Sequence, residues 1–417
     1  MLAIIHFLTC LIVYSSFGLC RQCIPSQKGM TALILGQDYY SIGNYTKAYD
    51  SQPYGVMAYT ALASAETGAL KGLRDPIDYG TGIEWASGLM NRYPNASLQL
   101  GLWLVDGLDR VVEGSLDHQI SDLINYLTID LANREVYLRI GYEFDWPANS
   151  YDPEKYINAF QYIVKQFRTS PLPTNHINFV WHSSGFQLFQ GGVKVSFTDY
   201  YPGKEYVDIC GTSLFQQPYS CQDPYDCRMD YVEDIAEFCA HDDIPFIICE
   251  STPIGGLIDE AHSDRINESN FTGSSWSKWF LPVLSLIQRR DIRLWSYINC
   301  DWDSQFMYRY GSWGDTRLQK FRGISKRWQV EVLESDRFAW YAGSNPAVTC
   351  DEAEHQKRKS LLPVPAHNFW VISAIFLVFL LIMGALCTPC LHSCAPFGHR
   401  RLGYHSIEER EMLVTDL

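Results

Sequence analysis

Short, continuous apolar runs recur along the chain between residues 31 and 301, and polar or turn-forming residues bound each one. Runs of this length without polar alternation are typical of strands that are covered on both faces. We predict eight strands: Ala32–Gly36, Gly55–Tyr59, Leu98–Val105, Val136–Gly141, Ile177–Trp181, Val207–Gly211, Pro245–Cys249 and Ile292–Asn299.

Segments with helix-like patterns separate several of these strands. They are Leu116–Asn133, Pro153–Arg168, Asp230–Ala240 and Trp276–Arg289, whereas the pattern from Tyr59 to Leu98 predicts no clear element. Strands that alternate with helices form parallel βα units, and eight such units predict a closed (β/α)₈ TIM barrel. The rival is a doubly wound open sheet, which usually has a glycine-rich loop after its first strand, where this chain has Gln37-Asp38-Tyr39-Tyr40.

Apolar segments near the two ends predict a membrane-anchored domain organisation. Residues 1–20 resemble a secretory signal peptide, although the lack of Lys and Arg leaves an uncleaved anchor open. Residues 368–388 contain no charge and match the length of a transmembrane helix. We therefore predict a barrel domain over 21–350, a stalk over 351–367 and a cytoplasmic tail over 389–417, in a single-pass type I membrane protein of the plasma membrane or endolysosomes.

Glycosylation acceptors and cysteines support an outward-facing barrel. Four Asn-X-Ser/Thr sites begin at Asn44, Asn95, Asn267 and Asn270. If cleavage follows Cys20, eight cysteines remain in the outer segment, an even number that permits disulfides, and Cys221 and Cys227 are close enough to close one loop.

The tail offers one candidate partner motif. Tyr404-His-Ser-Ile407 fits a tyrosine-based sorting signal, which predicts an adaptor protein as a partner. A sorting or structural membrane protein whose function lies in this tail is thus one alternative function.

The net charge of the chain disfavours some classes of ligand. The chain carries a formal net charge of -14, so it repels phosphate backbones, and nucleic acid is an unfavourable partner. An anionic polysaccharide is disfavoured for the same reason, whereas a neutral glycan is compatible. No cluster in the sequence predicts a metal or another cofactor.

Two glutamates directly follow apolar strands at the end of the barrel where active sites lie. Strand four leads into Arg139-Ile-Gly-Tyr142-Glu143-Phe-Asp145-Trp146, and strand seven ends in Phe246-Ile-Ile-Cys249-Glu250. A buried carboxylate is costly to desolvate, so stability alone rarely selects it there. A pair of carboxyl groups across one glycosidic bond is what glycoside hydrolysis requires.

These segments resemble glycoside hydrolase family 26, the β-mannanase family, within the clan of retaining (β/α)₈ glycosidases. A third segment shares the likeness: Tyr201-Pro-Gly-Lys-Glu-Tyr206-Val-Asp208-Ile-Cys-Gly211 is similar to the family's entry into strand six. The resemblance implies Glu143 as the acid/base and Glu250 as the nucleophile. The chain departs from the family where Tyr142 replaces the usual His and Asp145-Trp146 the usual Asn-Gly.

Other residues at the strand ends are candidates for binding a polysaccharide or oligosaccharide substrate. Arg139 is expected to orient the nucleophile, and Trp302 is the preferred sugar platform over Trp295, which we expect in the core. The full set of predicted substrate-binding residues is Arg139, Tyr142, Asp38, Trp103, His182, Gln216 and Trp302. For His182, a hydrogen-bonded scaffold role is an equal alternative.

The sequence thus predicts a membrane-anchored, retaining, endo-β-mannanase-like hydrolase of a neutral β-linked polysaccharide. The alternative is a catalytically inactive glycan receptor or adhesin on the same barrel.

Overall fold

The computed structural model describes residues 29–63, 68–131, 134–186, 189–190, 193–215, 229–259 and 274–339. The predicted signal peptide, stalk, transmembrane segment and tail lie outside these ranges, as do Gln216, Cys221 and Cys227. Among the residues that are described, none of the helices has the length and apolarity to cross a bilayer.

Eight parallel strands close into a barrel within the described ranges. They are β1 (Thr31–Gly36), β2 (Gly55–Ala61), β3 (Ser97–Trp103), β4 (Val136–Ile140), β5 (Ile177–Ser183), β6 (Ile209–Leu214), β7 (Phe246–Ser251) and β8 (Leu294–Ile298). Neighbouring strands pair in chain order, and β8 pairs with β1 to close the ring, with Leu33 opposite Trp295. The predicted TIM barrel is confirmed, and each predicted strand overlaps an observed one.

Most helices lie on the connections between the strands, and one follows β8. The described helices are α1 (Tyr39–Tyr49), α2 (Ala86–Arg92), α3 (Leu108–Val112), α4 (Asp117–Asn125), α5 (Pro153–Thr169), α6 (Asp230–His241), α7 (Leu281–Arg289) and α8 (Arg322–Trp328). Two predicted helices contain a π-helical turn, at Tyr126–Asp130 and Trp276–Phe280. The region without a clear prediction holds α2 and a short hairpin that pairs Ile77–Asp78 with Ile83–Glu84.

The main core lies between the barrel and its helices, where α8 supplies a large buried side chain. Trp328 is fully buried, its ring lies 5.3 Å from that of Trp295, and its indole N–H donates to the Tyr45 hydroxyl at 2.7 Å. Trp295 is equally buried, so its expected place in the core is confirmed.

The barrel interior is partly polar, and one amide spans it. The Gln99 amide on β3 donates to the Cys249 carbonyl on β7 at 2.6 Å and accepts from the Ser296 hydroxyl on β8 at 3.1 Å. Every polar atom of this buried side chain is therefore engaged, as burial requires. The contact fixes the backbone one residue before Glu250.

A disulfide joins the barrel to its outer layer. Cys210 on β6 is bonded to Cys239 on α6, while Cys249 and Cys300 are buried free thiols.

Replacing Trp328 tests how much this aromatic core contributes to stability. Trp328→Ala should lower the free energy of unfolding by about 3–5 kcal/mol, since it removes a large buried side chain and leaves a cavity. Val330 is 54% exposed, so Val330→Ala serves as the control and should change stability by less than about 0.5 kcal/mol. Denaturant unfolding followed by tryptophan fluorescence measures both, and equal stabilities would contradict this description of the core.

Candidate active site

The segment after β4 presents Glu143 through an unusual backbone. Gly141 and Glu143 both have positive φ, at 55° and 52°, and a non-glycine residue in this region is strained. Phe144 is buried and stacks on Trp181 at 4.6 Å, which anchors the loop in the core. The Asn149 amide donates to the Glu143 carbonyl at 2.9 Å. Core packing on one side and this hydrogen bond on the other hold Glu143 at the end of the strand.

Glu250 reaches the same rim through a β-bulge. Between β6 and β7 the register shifts, so that Thr212 pairs with Ile248 but Ser213 pairs with Glu250. Cys249 is the extra residue, and the bulge re-aims the side chain that follows. Ser213 therefore lies beside Glu250 in the sheet, and its hydroxyl donates to the Glu143 carboxylate at 2.6 Å. The bulge thus places Ser213, which contacts Glu143, beside Glu250.

Arg139 is the buried cation between these acids. It is fully buried inside the barrel and forms an ion pair and hydrogen bond with Glu250. Its guanidinium lies over the rings of Tyr59 and Tyr142, at 4.9 and 5.3 Å from the ring centres. Burial lowers the pKa of Arg139, but the Glu250 carboxylate outweighs this and the net pKa is raised. Arg139 therefore stays charged and orients Glu250.

His182 links Arg139 to Glu143. Burial, reinforced by the nearby Arg139 charge, lowers the pKa of His182 well below its ordinary value, so the ring is neutral. Arg139 Nη1 lies 3.5 Å from Nδ1, and an arginine only donates, so Nδ1 accepts and Nε2 carries the proton. Nε2 then donates to the Ser213 hydroxyl at 3.0 Å. His182 is fully buried, so the structure favours its scaffold role over the predicted substrate contact.

The two acids have different electrostatic surroundings. Burial and then the charge of Glu250 raise the pKa of Glu143 to about 8, although the hydrogen bond from Ser213 opposes this. Glu250, by contrast, has a cation in direct contact. One carboxyl group with a raised pKa lies near a second carboxyl group that is ion-paired with a cation. This arrangement suits the first as a general acid and the second as a nucleophile.

Asp145 ties the loop after β4 to its neighbours. It accepts hydrogen bonds from the Ser183 hydroxyl at 2.5 Å, the Ser184 amide at 2.6 Å and the Tyr231 hydroxyl at 3.0 Å. Burial nevertheless raises its pKa. The next residue, Trp146, is 39% exposed and lies 5.7 Å from the Phe186 ring. The acidic residue thus anchors the loop that presents this indole.

The two tryptophans predicted to bind substrate differ in exposure. Trp302 is only 2% exposed and packs against Tyr308 and Trp313, with ring centres 4.7 and 5.2 Å away. The prediction of an open stacking face at Trp302 is therefore wrong, because neighbouring rings cover it. Trp103 is 36% exposed, and its indole N–H donates to Asn149 at 3.1 Å, which places it beside the Glu143 loop.

The remaining predicted residues have mixed outcomes. Tyr142 stacks with His182 at 6.4 Å and is partly buried. Asp38 is 3% exposed and caps α1 by accepting from the amides of Tyr40 and Ser41, so most of its hydrogen bonding is structural. Gln216 lies outside the described residues.

Sequence reasoning missed several residues of this site. Ser213 lies two residues beyond the predicted end of strand six at Gly211 and was not selected; in the structure it lies within β6. Tyr308, whose pKa is raised by burial and then by the charges of Glu143 and Glu250, lies in an irregular loop after β8. Glu84 is fully buried and accepts from the Tyr59 amide at 3.1 Å. In the sequence, Glu84 is marked only by its apolar neighbour, and no helix or strand was predicted in this region.

Comparison with known proteins agrees with this geometry. The sequence profile of glycosyl hydrolase family 26 matches residues 109–249. A β-1,3-xylanase from a Vibrio species is 30% identical over 337 residues, which cover 78% of this chain and 69% of that protein.

The chain belongs to glycosyl hydrolase family 26.

Other family 26 comparisons are consistent with this. A β-1,3-xylanase from an Alcaligenes species is 29% identical over 337 residues, covering 78% of this chain and 67% of that protein. Among solved structures, a modular endo-β-1,4-mannanase from Cellulomonas fimi has a TM-score of 0.50 and 13% identity, covering 77% of this chain and 74% of that one. The structural likeness supports the fold alone. As a family 26 member, the protein is a glycoside hydrolase.

The Ser213 hydrogen bond makes the titration of Glu143 testable. Ser213→Ala removes a donor that stabilises the ionised carboxylate, so the pKa of Glu143 should rise above its wild-type value of about 8. Carbon-13 NMR of glutamate-labelled protein measures the titration, and Glu143→Gln assigns the signal. Ser87→Ala, which removes a serine that contacts Tyr126 on the outer layer, is the control and should leave the signal unchanged. An unchanged or lower pKa in Ser213→Ala would contradict the assigned hydrogen bond.

Proposed function

We propose that the protein is a retaining glycoside hydrolase that cleaves a neutral β-linked polysaccharide, with Glu143 as acid/base and Glu250 as nucleophile. The observation that carries this proposal is the electrostatic asymmetry of the two acids. One has a raised pKa, and the other is ion-paired with a buried arginine. A chain of hydrogen bonds through Arg139, His182 and Ser213 connects them.

The proposed reaction proceeds by double displacement. In the first step, a Glu250 carboxylate oxygen attacks the anomeric carbon, while Glu143 donates its proton to the glycosidic oxygen as that bond breaks. A glycosyl ester on Glu250 results. In the second step, Glu143 takes a proton from water, and the water oxygen attacks the anomeric carbon and releases the Glu250 carboxylate. Arg139 holds Glu250 in place and stabilises its charge before the attack and after release.

β-1,3-Xylan is the first substrate to test. The two β-1,3-xylanases share 29–30% identity over 337 residues with this chain, whereas the mannanase likeness supports only a fold. Both polymers are neutral, as the net charge of -14 favours. Tyr142 and Asp145-Trp146 also depart from the mannanase pattern beside the acid. These observations favour β-1,3-xylan over the β-mannan that the family resemblance first suggests.

Removing the proposed nucleophile tests the mechanism. The full-length chain, purified in detergent, should release reducing sugar from β-1,3-xylan faster than from β-mannan or β-glucan. Glu250→Ala should lower the rate by more than about 10³-fold, because the covalent intermediate cannot form. Proton NMR should show that the first-formed sugar has the β configuration of the substrate.

A surface glutamate is the matched control for this experiment. Glu237 is 77% exposed on α6, and Glu237→Ala should keep the wild-type rate. A first-formed sugar of α configuration would overturn the retaining mechanism. Wild-type protein that binds but does not cleave these polymers would instead favour the receptor alternative.

We also propose that residues 368–388 hold the enzyme in a membrane, with the barrel on the extracellular or lumenal side. The support is an uncharged segment of spanning length followed by a polar tail. In a secretory cell, the full chain should stay in the membrane pellet after alkaline carbonate extraction. A chain that ends at residue 367 should be released, and recovery of the full chain in the supernatant would end this proposal.

A further inference from the structure

The side chain of Asn149 bridges the end of β3 and the backbone that carries Glu143. Asn149 is buried at the end of a short 3₁₀-helix over Pro147–Asn149. Its amide nitrogen donates to the Tyr142 carbonyl at 3.2 Å and to the Glu143 carbonyl at 2.9 Å. Its amide oxygen accepts from the indole N–H of Trp103 at 3.1 Å. Both amide N–H groups and the amide oxygen are therefore engaged.

The chemistry of these partners permits one orientation of the Asn149 amide. An indole N–H only donates and a backbone carbonyl only accepts, so the amide oxygen has to face Trp103 and the nitrogen has to face the two carbonyls. A carboxylate of the same shape has no N–H to donate, and the side chain of glutamine is one methylene longer. Asparagine is thus the side chain whose length and hydrogen-bonding groups fit this position.

The end of β3 fixes the loop that contains Asn149. Trp103 is the last residue of β3, which pairs with β4 in the barrel wall. The next backbone amide, of Leu104, donates to the Tyr151 hydroxyl at 3.0 Å. Two hydrogen bonds from consecutive residues therefore tie the segment 149–151 to the barrel wall.

The backbone at Glu143 is strained and depends on such support. Its φ is 52°, in a region that is unfavourable for residues other than glycine. Its carbonyl accepts from the Trp146 amide at 2.9 Å as well as from Asn149. Because the carbonyl direction fixes the peptide plane that follows Glu143, its loss would let the backbone relax and move the carboxyl group away from Ser213.

We propose that Asn149, held in orientation by Trp103, is a positioning residue that keeps Glu143 in the geometry for proton transfer to the glycosidic oxygen. The proposal rests on the proposed role of Glu143 as acid/base and adds the residue that controls its placement. A displacement of about 1 Å in a reacting group can lower a rate by about 10²-fold. Asn149 acts through the backbone of Glu143.

The leaving group of the substrate separates this role from a general effect on the fold. Release of a sugar requires a proton from the acid, whereas 2,4-dinitrophenolate leaves as a stable anion without one. The probes are β-1,3-xylotetraose and 2,4-dinitrophenyl β-1,3-xylobioside, assayed with the full-length chain. The measured quantity is the ratio of kcat/KM on the dinitrophenyl glycoside to kcat/KM on the tetraose. A smaller folded fraction lowers both values equally, so it cancels in this ratio.

Three variants remove different parts of the bridge. Asn149→Ala removes all three hydrogen bonds, and Asn149→Asp keeps the acceptor for Trp103 but loses the donors to the carbonyls. Both should raise the ratio by about tenfold or more, because only the step that needs the acid is slowed. Trp103→Phe keeps an aromatic ring but loses the indole N–H, and it should raise the ratio about threefold or more.

Matched controls remove the same groups elsewhere. Trp85 donates its indole N–H to the Arg74 carbonyl at 2.9 Å, so Trp85→Phe also removes a bond from an indole to a backbone carbonyl. Asn91 is exposed on α2, and Asn91→Ala removes an asparagine amide. Both variants should keep the wild-type ratio.

The outcomes separate this proposal from the proposed function. An unchanged ratio in Asn149→Ala and Asn149→Asp would overturn the positioning role, and a change in these two without one in Trp103→Phe would overturn the part of Trp103. If the wild-type chain cleaves neither probe, the proposed function fails.

Carbon-13 NMR of glutamate-labelled protein then decides whether Asn149 positions the Glu143 carboxyl group. Burial is the first cause of the raised pKa of Glu143, so release of the loop in Asn149→Ala should lower this pKa from about 8 towards its ordinary value. An unchanged pKa in Asn149→Ala would overturn the proposal.

Discussion

The active site depends on one buried charge, the guanidinium of Arg139 in the interior of the barrel. A buried cation is tolerated only when an anion and hydrogen-bond acceptors neutralise it. Glu250 provides the anion, and the faces of Tyr59 and Tyr142 cover the remaining guanidinium surface. Burial, and then the charge of Arg139, keep His182 neutral, and it accepts at Nδ1. Arg139 thus helps to keep His182 neutral, while burial is the first cause of the raised pKa of Glu143.

Two backbone irregularities convert a regular barrel into a site with converging acids. Positive φ angles at Gly141 and Glu143 turn the chain at the end of β4, and the bulge at Cys249 shifts the end of β7 relative to β6. Both cost stability locally, and both are held by buried neighbours, Phe144 in one case and Gln99 in the other. Irregular backbone of this kind is concentrated at functional sites.

The fold could be predicted from the sequence because strands and helices each have a local hydrophobic pattern. Strands buried on both faces appear as apolar runs, and the position of an acid after such a run locates it on the catalytic rim. Ser213 was missed because a single small polar residue after the predicted end of a strand has no distinctive pattern, and its contact with Glu143 depends on the folded chain. Glu84 and Tyr308 come from segments without periodicity, and only the folded chain brings them to the barrel. Trp302 was predicted as a sugar platform because tryptophans near a carbohydrate site often stack on sugars, but Tyr308 and Trp313 pack against its ring, which no local pattern reveals.

The Gln99 amide has a consequence for altering the sugar preference of this enzyme. It joins β3 to β7 and β8 directly beneath the acid on β7, so a substitution in this part of the barrel lining would break contacts that support Glu250. Variants selected for a new polymer should therefore accumulate in the rim segments, such as the hairpin at 77–84 and the loop at 301–317.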